Sequence, residues 1–422
     1  MKFHVSKRIS LLDEDLDVSA HGLPPGEYVR LVLTCFHVAG NFQSWARFKA
    51  DSTGRVDLAK DAPVDGTYWG VDKMGLFSSM CPVTNSRPGV VMSFSYVEDL
   101  LLSYQLVAFN SKGDVLGQTT ILKRILDPSV ERIEITEGNV RGVMFRPKGN
   151  KKYRAVVDIH GLGGRCKEHR AALLAHKGFA VLALAIYDYK DLPKRLNDSD
   201  LNAVKEAIDW ITSQAYTSDK CAVLGHSFGG YVSYLAALQH DKIASIITVN
   251  APTFHASGIS ILENGKRHPY FTLTPAQEGH RRYAQNAVMN RPMWNHIFDN
   301  EPEAIEPYFI PLENVPANVS FMLIAGQQDI SVPSVRWCQL LEKHLRKALN
   351  RRVDTVYLKN CGHLIEPPHI PQHNTVFNPH PPTYWLQGGD QYLQCVEQRE
   401  LWPKIQEFIR TTVHVEELNA KL

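Results

Sequence analysis

One short stretch limits the folds that this chain can adopt more than any other. VLGHSFGGYVSYLAAL, residues 223–238, places Ser227 between glycines where an apolar run meets a helical pattern. The apolar residues before the serine predict a strand, and those after it predict a helix. A serine on a sharp strand-to-helix turn needs glycines where backbone approaches backbone, and Gly225, Gly229 and Gly230 supply them. The stretch predicts a nucleophile elbow, and the alternative is a serine that only closes a tight turn.

A nucleophilic serine needs a histidine base and a carboxylate that orients the base, which follow this elbow in the order acid, then histidine. Two later strands end in loops with these side chains: Asp329 follows VSFMLIAGQQ, and His363 follows VDTVYLKNCG. Because the carboxyl ends of parallel strands converge on one crevice, we expect the side chains to meet there. Ser227, Asp329 and His363 are the predicted catalytic residues, although each of the 18 histidines is more often a packing or surface residue.

An oxyanion hole is expected from an earlier strand-to-helix loop, DIHGLGGRCKEH at 158–169. Its glycines would let backbone N–H groups approach a substrate oxygen, and the predicted donors are the amides of Leu162 and Phe228. The alternative is a loop that is rich in glycine only in order to turn. Since the loop contains neither G-x-G-x-x-G nor the Lys-Ser/Thr of a P-loop, a nucleotide site is not expected.

The pattern of the sequence changes near residue 125. Before it, apolar and polar residues alternate, as in EYVRLVLTCFHV and SWARFKA, and turn residues separate the runs. After it, apolar runs without alternation are separated by helical stretches, which indicates a parallel sheet covered on both faces. The predicted architecture has two domains: an N-terminal antiparallel β-sandwich over residues 1–125 and an α/β-hydrolase catalytic domain over residues 126–422.

A long excursion separates the strand that ends at Ala251 from the one that begins near Val319. Most connections between strands need only a few residues, so residues 251–318 are predicted to form a cap over the active site. The run 367–385, which is rich in proline and aromatic residues, follows His363 and is expected to wall an acyl pocket.

Composition excludes several classes of partner. The 422 residues carry a formal net charge of +2, so neither nucleic acid nor an anionic membrane is expected as a partner. Seven scattered cysteines without a C-x-x-C pair indicate neither a disulfide framework nor a zinc site, and they fit a reducing compartment. No apolar run approaches the roughly 20 residues of a transmembrane segment, and the N-terminus turns acidic before a secretory signal could form. We expect a soluble intracellular protein that acts on a small molecule, with no metal and no cofactor.

Three regions together resemble one enzyme family. They are VVDIHGLGGRCKEHRAALLAHKGFAVLALAIYDYKDLP, then CGHLIEPPHIP followed by WLQGGD, and LPPGEYVRL with FKADSTGRVDLAKDAPVDGTYWGVDKMGLFSSM. They are similar to the acyl-CoA thioesterase and bile acid-CoA:amino acid N-acyltransferase family, and the similarity spans nearly the whole chain. It implies an acyl-CoA substrate and a triad at Ser227, Asp329 and His363.

Thioesterases of that family carry serine at the elbow, whereas the bile acid-conjugating enzymes carry cysteine. Ser227 therefore implies hydrolysis of fatty acyl-CoA to free fatty acid and CoA. The alternatives are acyl-CoA:amino acid N-acyltransfer to glycine or taurine, a carboxylesterase or peptidase, and a binding protein with a decayed site. His226 departs from the family pattern and is expected to be a surface residue. Arg165 and Lys167 either meet the CoA phosphates or are solvated charges.

The last three residues, Ala420, Lys421 and Leu422, keep the small, basic, leucine order of a peroxisomal import signal. They predict a peroxisomal location with an import receptor as partner, and otherwise the protein is expected in the cytoplasm. The preceding PKIQEFIRTTVHVEEL is predicted to be a terminal amphipathic helix beyond which the tail is free.

Overall fold

A computed structural model describes residues 1–37, 40–83, 96–98, 100–256, 259–284, 286–347, 351–371, 374–379 and 382–415. The predicted import signal at 420–422 lies outside the described residues, as do short pieces of the predicted cap and of the run 367–385.

Two sheets occupy the first 125 residues. Their strands are β1 (Lys2–Val5), β2 (Ile9–Leu11), β3 (Val18–His21), β4 (Tyr28–Phe36), β5 (Phe42–Lys49), β6 (Arg55–Asp57), β7 (Asp65–Gly66), β8 (Cys81–Pro82), β9 (Leu101–Phe109) and β10 (Val115–Arg124), with one short helix, α1 (Gly75–Ser78). One sheet has the order β1-β3-β6, and the other has the order β2-β10-β9-β4-β5-β7 with β8 also on β5. Among the described pairings only β2 with β10 is parallel.

The predicted alternation is present in these strands. In β4, Val29, Leu31, Leu33 and Cys35 are buried while the residues between them are not. Successive side chains of a strand point to opposite faces, so this period of two places one face of the seven-stranded sheet against a core.

A mostly parallel sheet organises the rest of the chain. Its first part comprises β11 (Val130–Ile135), β12 (Gly142–Pro147), β13 (Tyr153–Ile159), α2 (His169–His176), β14 (Phe179–Leu184), α3 (Leu201–Ser213), β15 (Thr217–His226), α4 (Phe228–Ala237) and β16 (Ile243–Val249). The following excursion contains β17 (Leu262–Glu263), β18 (Lys266–Arg267), α5 (Pro275–Glu278), β19 (Arg282–Ala284), β20 (Ala287–Met289), α6 (Arg291–Asn300) and α7 (Pro302–Ile305).

The chain then returns to the sheet through β21 (Ser320–Gly326), α8 (Ser334–Leu345), β22 (Val353–Leu358), β23 (Thr375–Pro379), β24 (Pro382–Leu386) and α9 (Leu393–Thr412). Single 3-10 turns lie at Leu196–Asp198, Glu306–Tyr308 and Leu312–Asn314. The eight strands of the large sheet have the order β11-β12-β14-β13-β15-β16-β21-β22. Within this order, β14, β13, β15, β16, β21 and β22 pair in parallel. Strand β12 pairs antiparallel with both of its neighbours, β11 and β14.

The excursion between β16 and β21 has an apolar cluster of its own, formed by Phe254, Ala256, Phe271, Met293, Ile297 and Ile305. It also joins a segment far along the chain, because β20 pairs in parallel with β24 and completes a four-stranded sheet of order β19-β20-β24-β23. The excursion and the run 367–385, which were predicted as separate features, therefore share one sheet.

Helix α9 connects the large sheet to the first region. Arg399 forms two hydrogen bonds of 2.7 and 2.6 Å with the carboxylate of Asp72, and the hydroxyl of Tyr392 donates to the same carboxylate at 3.0 Å. Trp402 donates to Asp13 at 3.0 Å. Because a buried carboxylate needs hydrogen-bonding partners, these contacts stabilise Asp72 and link α9 to the first region.

Candidate active site

The serine predicted as nucleophile lies on a strained turn between β15 and α4. Ser227 has φ +51° and ψ −119°, a conformation that non-glycine residues rarely adopt and that persists only when its surroundings impose it. A Cβ on Gly225 would approach the oxygen of Gly229 to 2.6 Å, and a Cβ on Gly230 would collide with Ala251. The glycines are therefore required by close backbone packing around the turn, as the sequence pattern indicates.

The three residues predicted as a triad lie within hydrogen-bond distance of one another. Nε2 of His363 is 3.1 Å from Oγ of Ser227, and Nδ1 of His363 is 2.8 Å from Oδ2 of Asp329. Asp329 and His363 are buried, whereas Ser227 is partly exposed. A proton on Nδ1 that is donated to the carboxylate leaves Nε2 free to accept the serine proton, which is the arrangement of a general base beside a nucleophile.

The carboxylate of Asp329 is held on both oxygens. Its Oδ1 accepts hydrogen bonds of 2.9 Å from the backbone N–H groups of Ser331 and Val332, and its Oδ2 accepts one from the hydroxyl of Ser334. A buried carboxylate costs free energy unless it is hydrogen-bonded, so the loop after β21 both stabilises this charge and orients it toward His363.

Two residues that sequence analysis did not assign to the site hold the backbone of His363. Its carbonyl oxygen accepts a hydrogen bond of 2.9 Å from Nε2 of His226 and one of 2.8 Å from Nδ2 of Asn250. Oδ1 of Asn250 in turn accepts from the N–H of Gly326 at 2.8 Å. Asn250 directly follows β16. Its position at a strand end is the feature of the sequence that could have placed it near the site.

The expectation that His226 is a surface residue is wrong. Its side chain is buried against the ring of His363, with ring centroids 5.2 Å apart. Burial, with a smaller contribution from His363, lowers the pKa of His226 to about 3. His226 is therefore neutral at physiological pH and donates from Nε2. His226 is the last residue of β15, and its ring reaches the loop of His363 from that strand end.

The loop predicted to carry the oxyanion hole packs against the elbow. A Cβ on Gly161 would lie 3.1 Å from Cβ of Ser227, and a Cβ on Gly229 would lie 2.7 Å from the oxygen of His160. The carbonyl of Leu162 accepts from the hydroxyl of Tyr187. Phe228 is the first residue of α4, where a backbone N–H has no partner within the helix. Both segments expected to donate thus border Ser227.

A buried set of charged groups lies behind this loop. Asp158, at the end of β13, accepts a hydrogen bond of 2.9 Å from Nε of Arg170. His169 pairs with Glu366 at 2.9 Å, three residues after His363 in the chain. Burial opposes the charge on Glu366, but His169 holds the pKa of Glu366 well below its usual range. These two contacts connect α2 with both the predicted oxyanion loop and the loop of His363.

The two cations considered as partners of the CoA phosphates, Arg165 and Lys167, differ in environment. Arg165 is largely exposed and lies 3.6 Å from Asp188. Lys167 is half-buried, and burial followed by the charge of Arg165 lowers its pKa. Both belong to the same loop as Leu162.

The structure contains no candidate metal centre within its described ranges, since no three His, Cys, Asp or Glu side chains there are placed to share an ion. None of the described helices combines the length and apolarity that crossing a bilayer requires.

Known proteins similar to this chain include both hydrolases and acyltransferases. Mouse acyl-coenzyme A amino acid N-acyltransferase 1 is 29% identical, over 98% of this chain and 97% of its own length. Mouse acyl-coenzyme A thioesterase 5 is 29% identical over 94% of this chain and 93% of its own. Mouse peroxisomal succinyl-coenzyme A thioesterase is 29% identical over 86% of this chain and 85% of its own.

Solved structures that resemble the fold include an acylaminoacyl peptidase from Pyrococcus horikoshii, with a TM-score of 0.43 and 10% identity over 99% of this chain and 72% of that chain. An esterase from Pyrococcus furiosus has a TM-score of 0.41 and 16% identity over 68% of this chain and 92% of its own.

Two family models match the chain in succession. Residues 13–137 match the acyl-CoA thioester hydrolase/BAAT N-terminal region, and residues 200–414 match the BAAT/acyl-CoA thioester hydrolase C-terminal region. With both regions in their order and with relatives aligned over nearly its full length, this chain belongs to the acyl-CoA thioester hydrolase/BAAT family.

Proposed function

We propose that this enzyme is an acyl-CoA thioesterase that hydrolyses fatty acyl-CoA to free fatty acid and CoA. The observation that carries the proposal is the chain of hydrogen bonds from Oγ of Ser227 through the ring of His363 to Asp329, with distances of 3.1 and 2.8 Å. Membership of the family supplies the acyl-CoA substrate class.

In the first half-reaction, Oγ of Ser227 attacks the thioester carbonyl while Nε2 of His363 takes its proton. The N–H groups of Leu162 and Phe228 stabilise the oxyanion, and Asp329 stabilises the imidazolium. CoA leaves as a thiolate, a good leaving group because thiols have a pKa of about 8.5. His363 passes its proton to the departing thiolate and becomes neutral again. In the second half-reaction it takes a proton from a water that attacks the acyl-serine ester, and it returns that proton to Oγ of Ser227 as the free fatty acid leaves.

Amino acid N-acyltransfer is the second candidate, favoured by the 29% identity to an enzyme named as an acyl-coenzyme A amino acid N-acyltransferase. The nucleophile argues for hydrolysis instead. An acyl-serine is an oxygen ester, which lacks the strong preference for amines over water that an acyl-cysteine thioester has. Hydrolysis of carboxylesters or peptides by the same triad is a third candidate, and the hydrogen-bonded triad argues against a binding protein with a decayed site.

The domain assignment is also part of this proposal. Residues 1–125 are assigned to a β-sandwich, residues 126–422 to an α/β-hydrolase domain and residues 251–318 to a cap. The two largely antiparallel sheets of the first region support the sandwich. The separate apolar cluster around Phe254 supports a cap, and the sheet shared with residues 375–386 would fasten this cap to the segment after His363.

We assign the enzyme to peroxisomes through Ala420, Lys421 and Leu422, with an import receptor as partner. The relative named as a peroxisomal thioesterase supports this assignment. A fluorescent fusion at the N-terminus should colocalise with a peroxisomal marker and become diffuse when Leu422 is deleted. A diffuse signal with the tail intact would reject the assignment.

The function is tested by the release of free thiol from acyl-CoAs of increasing chain length. Wild type should release CoA, and Ser227→Ala should fold normally while losing several orders of magnitude in kcat, as triad deletions do. Assays with glycine or taurine distinguish amide formation, and p-nitrophenyl esters distinguish a carboxylesterase. Equal thiol release by wild type and Ser227→Ala would reject the mechanism.

A further inference from the structure

A second group of reactive side chains lies at the junction of the two regions, apart from Ser227. Sγ of Cys395 lies 3.8 Å from Nδ1 of His369, and Nε2 of the same ring lies 3.3 Å from Oδ1 of Asp15. The backbone N–H of His369 also donates to the sulfur, at 3.3 Å. Cys395 and His369 are almost completely buried, whereas Asp15 is half exposed. The three groups thus form a chain of contacts in space, from the carboxylate through the imidazole to the thiol.

The surroundings of Cys395 favour its thiolate. Burial opposes charge on both groups, but Asp15 raises the pKa of His369, and His369 in turn lowers the pKa of Cys395. Cys395 is also the third residue of α9, where the partial positive charge of a helix N-terminus stabilises an anion. Burial raises the pKa of each of the other six thiols, those of Cys35, Cys81, Cys166, Cys221, Cys338 and Cys361.

A cavity of about 20 Å³ adjoins this thiol, which is more than the roughly 10–15 Å³ that one water molecule needs. Its lining includes Cys395, Ser78 and Gln398, and it extends to Asn374 at the protein surface. Gln398 is 1% exposed, and its Nε2 has no hydrogen-bond partner among the residues that the structure describes. A buried amide donor without a partner costs free energy, so this cavity is suited to a small polar oxygen species.

We propose that Cys395 is a peroxide-reactive thiol that is converted to sulfenic acid within this cavity, with His369 as its proton donor and Gln398 as the donor that binds the peroxide oxygen. The thiolate attacks one oxygen of hydrogen peroxide, forming an S–O bond as the O–O bond breaks. Sulfur loses two electrons, and the departing oxygen gains them as hydroxide. That hydroxide takes the proton on Nδ1 of His369 and leaves as water.

Solvent exposure and thiol pKa predict that different cysteines react first with peroxide, so an experiment can distinguish them. Cys81 is the more exposed thiol, but its pKa is raised, whereas Cys395 is buried and has a lowered pKa. The full-length protein is treated with equimolar hydrogen peroxide, trapped with a sulfenic-acid-specific dimedone probe and mapped by mass spectrometry. The probe should label Cys395 before Cys81, and Cys395→Ser should lose the label while Cys81→Ser keeps it.

The partners are tested by the rate of labelling at Cys395. Asp15→Asn should slow labelling, because His369 loses the carboxylate that raises its pKa and Cys395 then loses the positive charge that favours its thiolate. Gln398→Leu should also slow it, with circular dichroism and thermal unfolding confirming that each variant is folded. Ser227→Ala should label at the wild-type rate, which separates this site from the proposed hydrolase. Preferential labelling of Cys81, or folded Asp15→Asn and Gln398→Leu variants that react as fast as wild type, would overturn the proposal.

Discussion

Nε2 of His226 donates a hydrogen bond of 2.9 Å to the backbone carbonyl of His363. The residue before the predicted nucleophile therefore positions the residue predicted to be its base. The two rings are also in contact, and burial lowers the pKa of His226 to about 3, so the donor is a neutral imidazole. This contact joins the turn at Ser227 to the loop of His363. It gives His226 a positioning role and not the role of a second base.

The first prediction concerns this contact. His226→Ala should lower kcat for thioester hydrolysis by about tenfold with little change in KM, because losing one buried hydrogen bond costs about 1–3 kcal/mol and Asn250 still holds the same carbonyl. His226→Gln keeps an amide donor and should recover most of kcat. Steady-state kinetics on one acyl-CoA gives both values. If the alanine and glutamine variants are equally active, the positioning role is wrong.

The second prediction concerns Asp329, the carboxylate of the proposed triad. Asp329→Asn should reduce kcat by about 10⁴-fold, as the equivalent change does in serine proteases, because the amide stabilises the wrong tautomer of His363. Asp354→Asn removes a carboxylate that pairs with Arg352 near the surface and serves as the control. Both should keep near-wild-type circular dichroism. An active, folded Asp329→Asn enzyme would mean that another acid orients His363.

The third prediction concerns the packing of the turn at Ser227 against the predicted oxyanion loop. In Gly229→Ala the new methyl group would collide with the carbonyls of Ile159 and His160. We expect a loss of about 1–3 kcal/mol in the free energy of unfolding, the usual cost of overpacking, together with reduced kcat. Gly163→Ala is the control, since its methyl group would meet only the side chain of Lys167 at 3.7 Å. Urea unfolding compares them, and equal stabilities would contradict the predicted collision.

The fourth prediction concerns acid sensitivity. Burial lowers the pKa of His255 from 6.5 to about 3, and its ring packs edge-on against Phe228 and Tyr231 with centroids 4.7 Å away in each case. Between about pH 6.5 and pH 3 the unfolded chain binds a proton there that the folded protein does not. The contribution of His255 to stability is therefore complete above pH 6.5 and is lost as pH falls toward 3.

His255→Phe keeps an aromatic ring in this packing but cannot bind a proton. Its free energy of unfolding should fall less steeply between pH 6.5 and pH 4 than that of wild type, by up to one proton per molecule, while the two profiles run parallel above pH 7. Urea unfolding across this range measures the slopes. Identical slopes would show that His255 is protonated in the folded state.

Local pattern was enough to identify the elbow and the two loops that supply an acid and a histidine. Close backbone packing around Ser227 requires glycine at neighbouring positions, and that requirement is visible in the sequence itself. The apolar runs that form β15, β21 and β22 indicate parallel strands, and the ends of parallel strands lie at one edge of a sheet. Proximity of Ser227, Asp329 and His363 follows from those two facts.

Other relationships depend on contacts between distant segments, which leave no periodic signal. The burial of His226 arises because the loop of His363 covers it, and the pairing of β20 with β24 joins segments about a hundred residues apart. Asp15, His369 and Cys395 come from three separate parts of the chain and meet only where α9 packs against the first region. Sequence determined which local elements form, because backbone sterics and apolar periodicity act over a few residues. Tertiary structure alone decided which buried polar groups become partners, because that depends on how those elements pack.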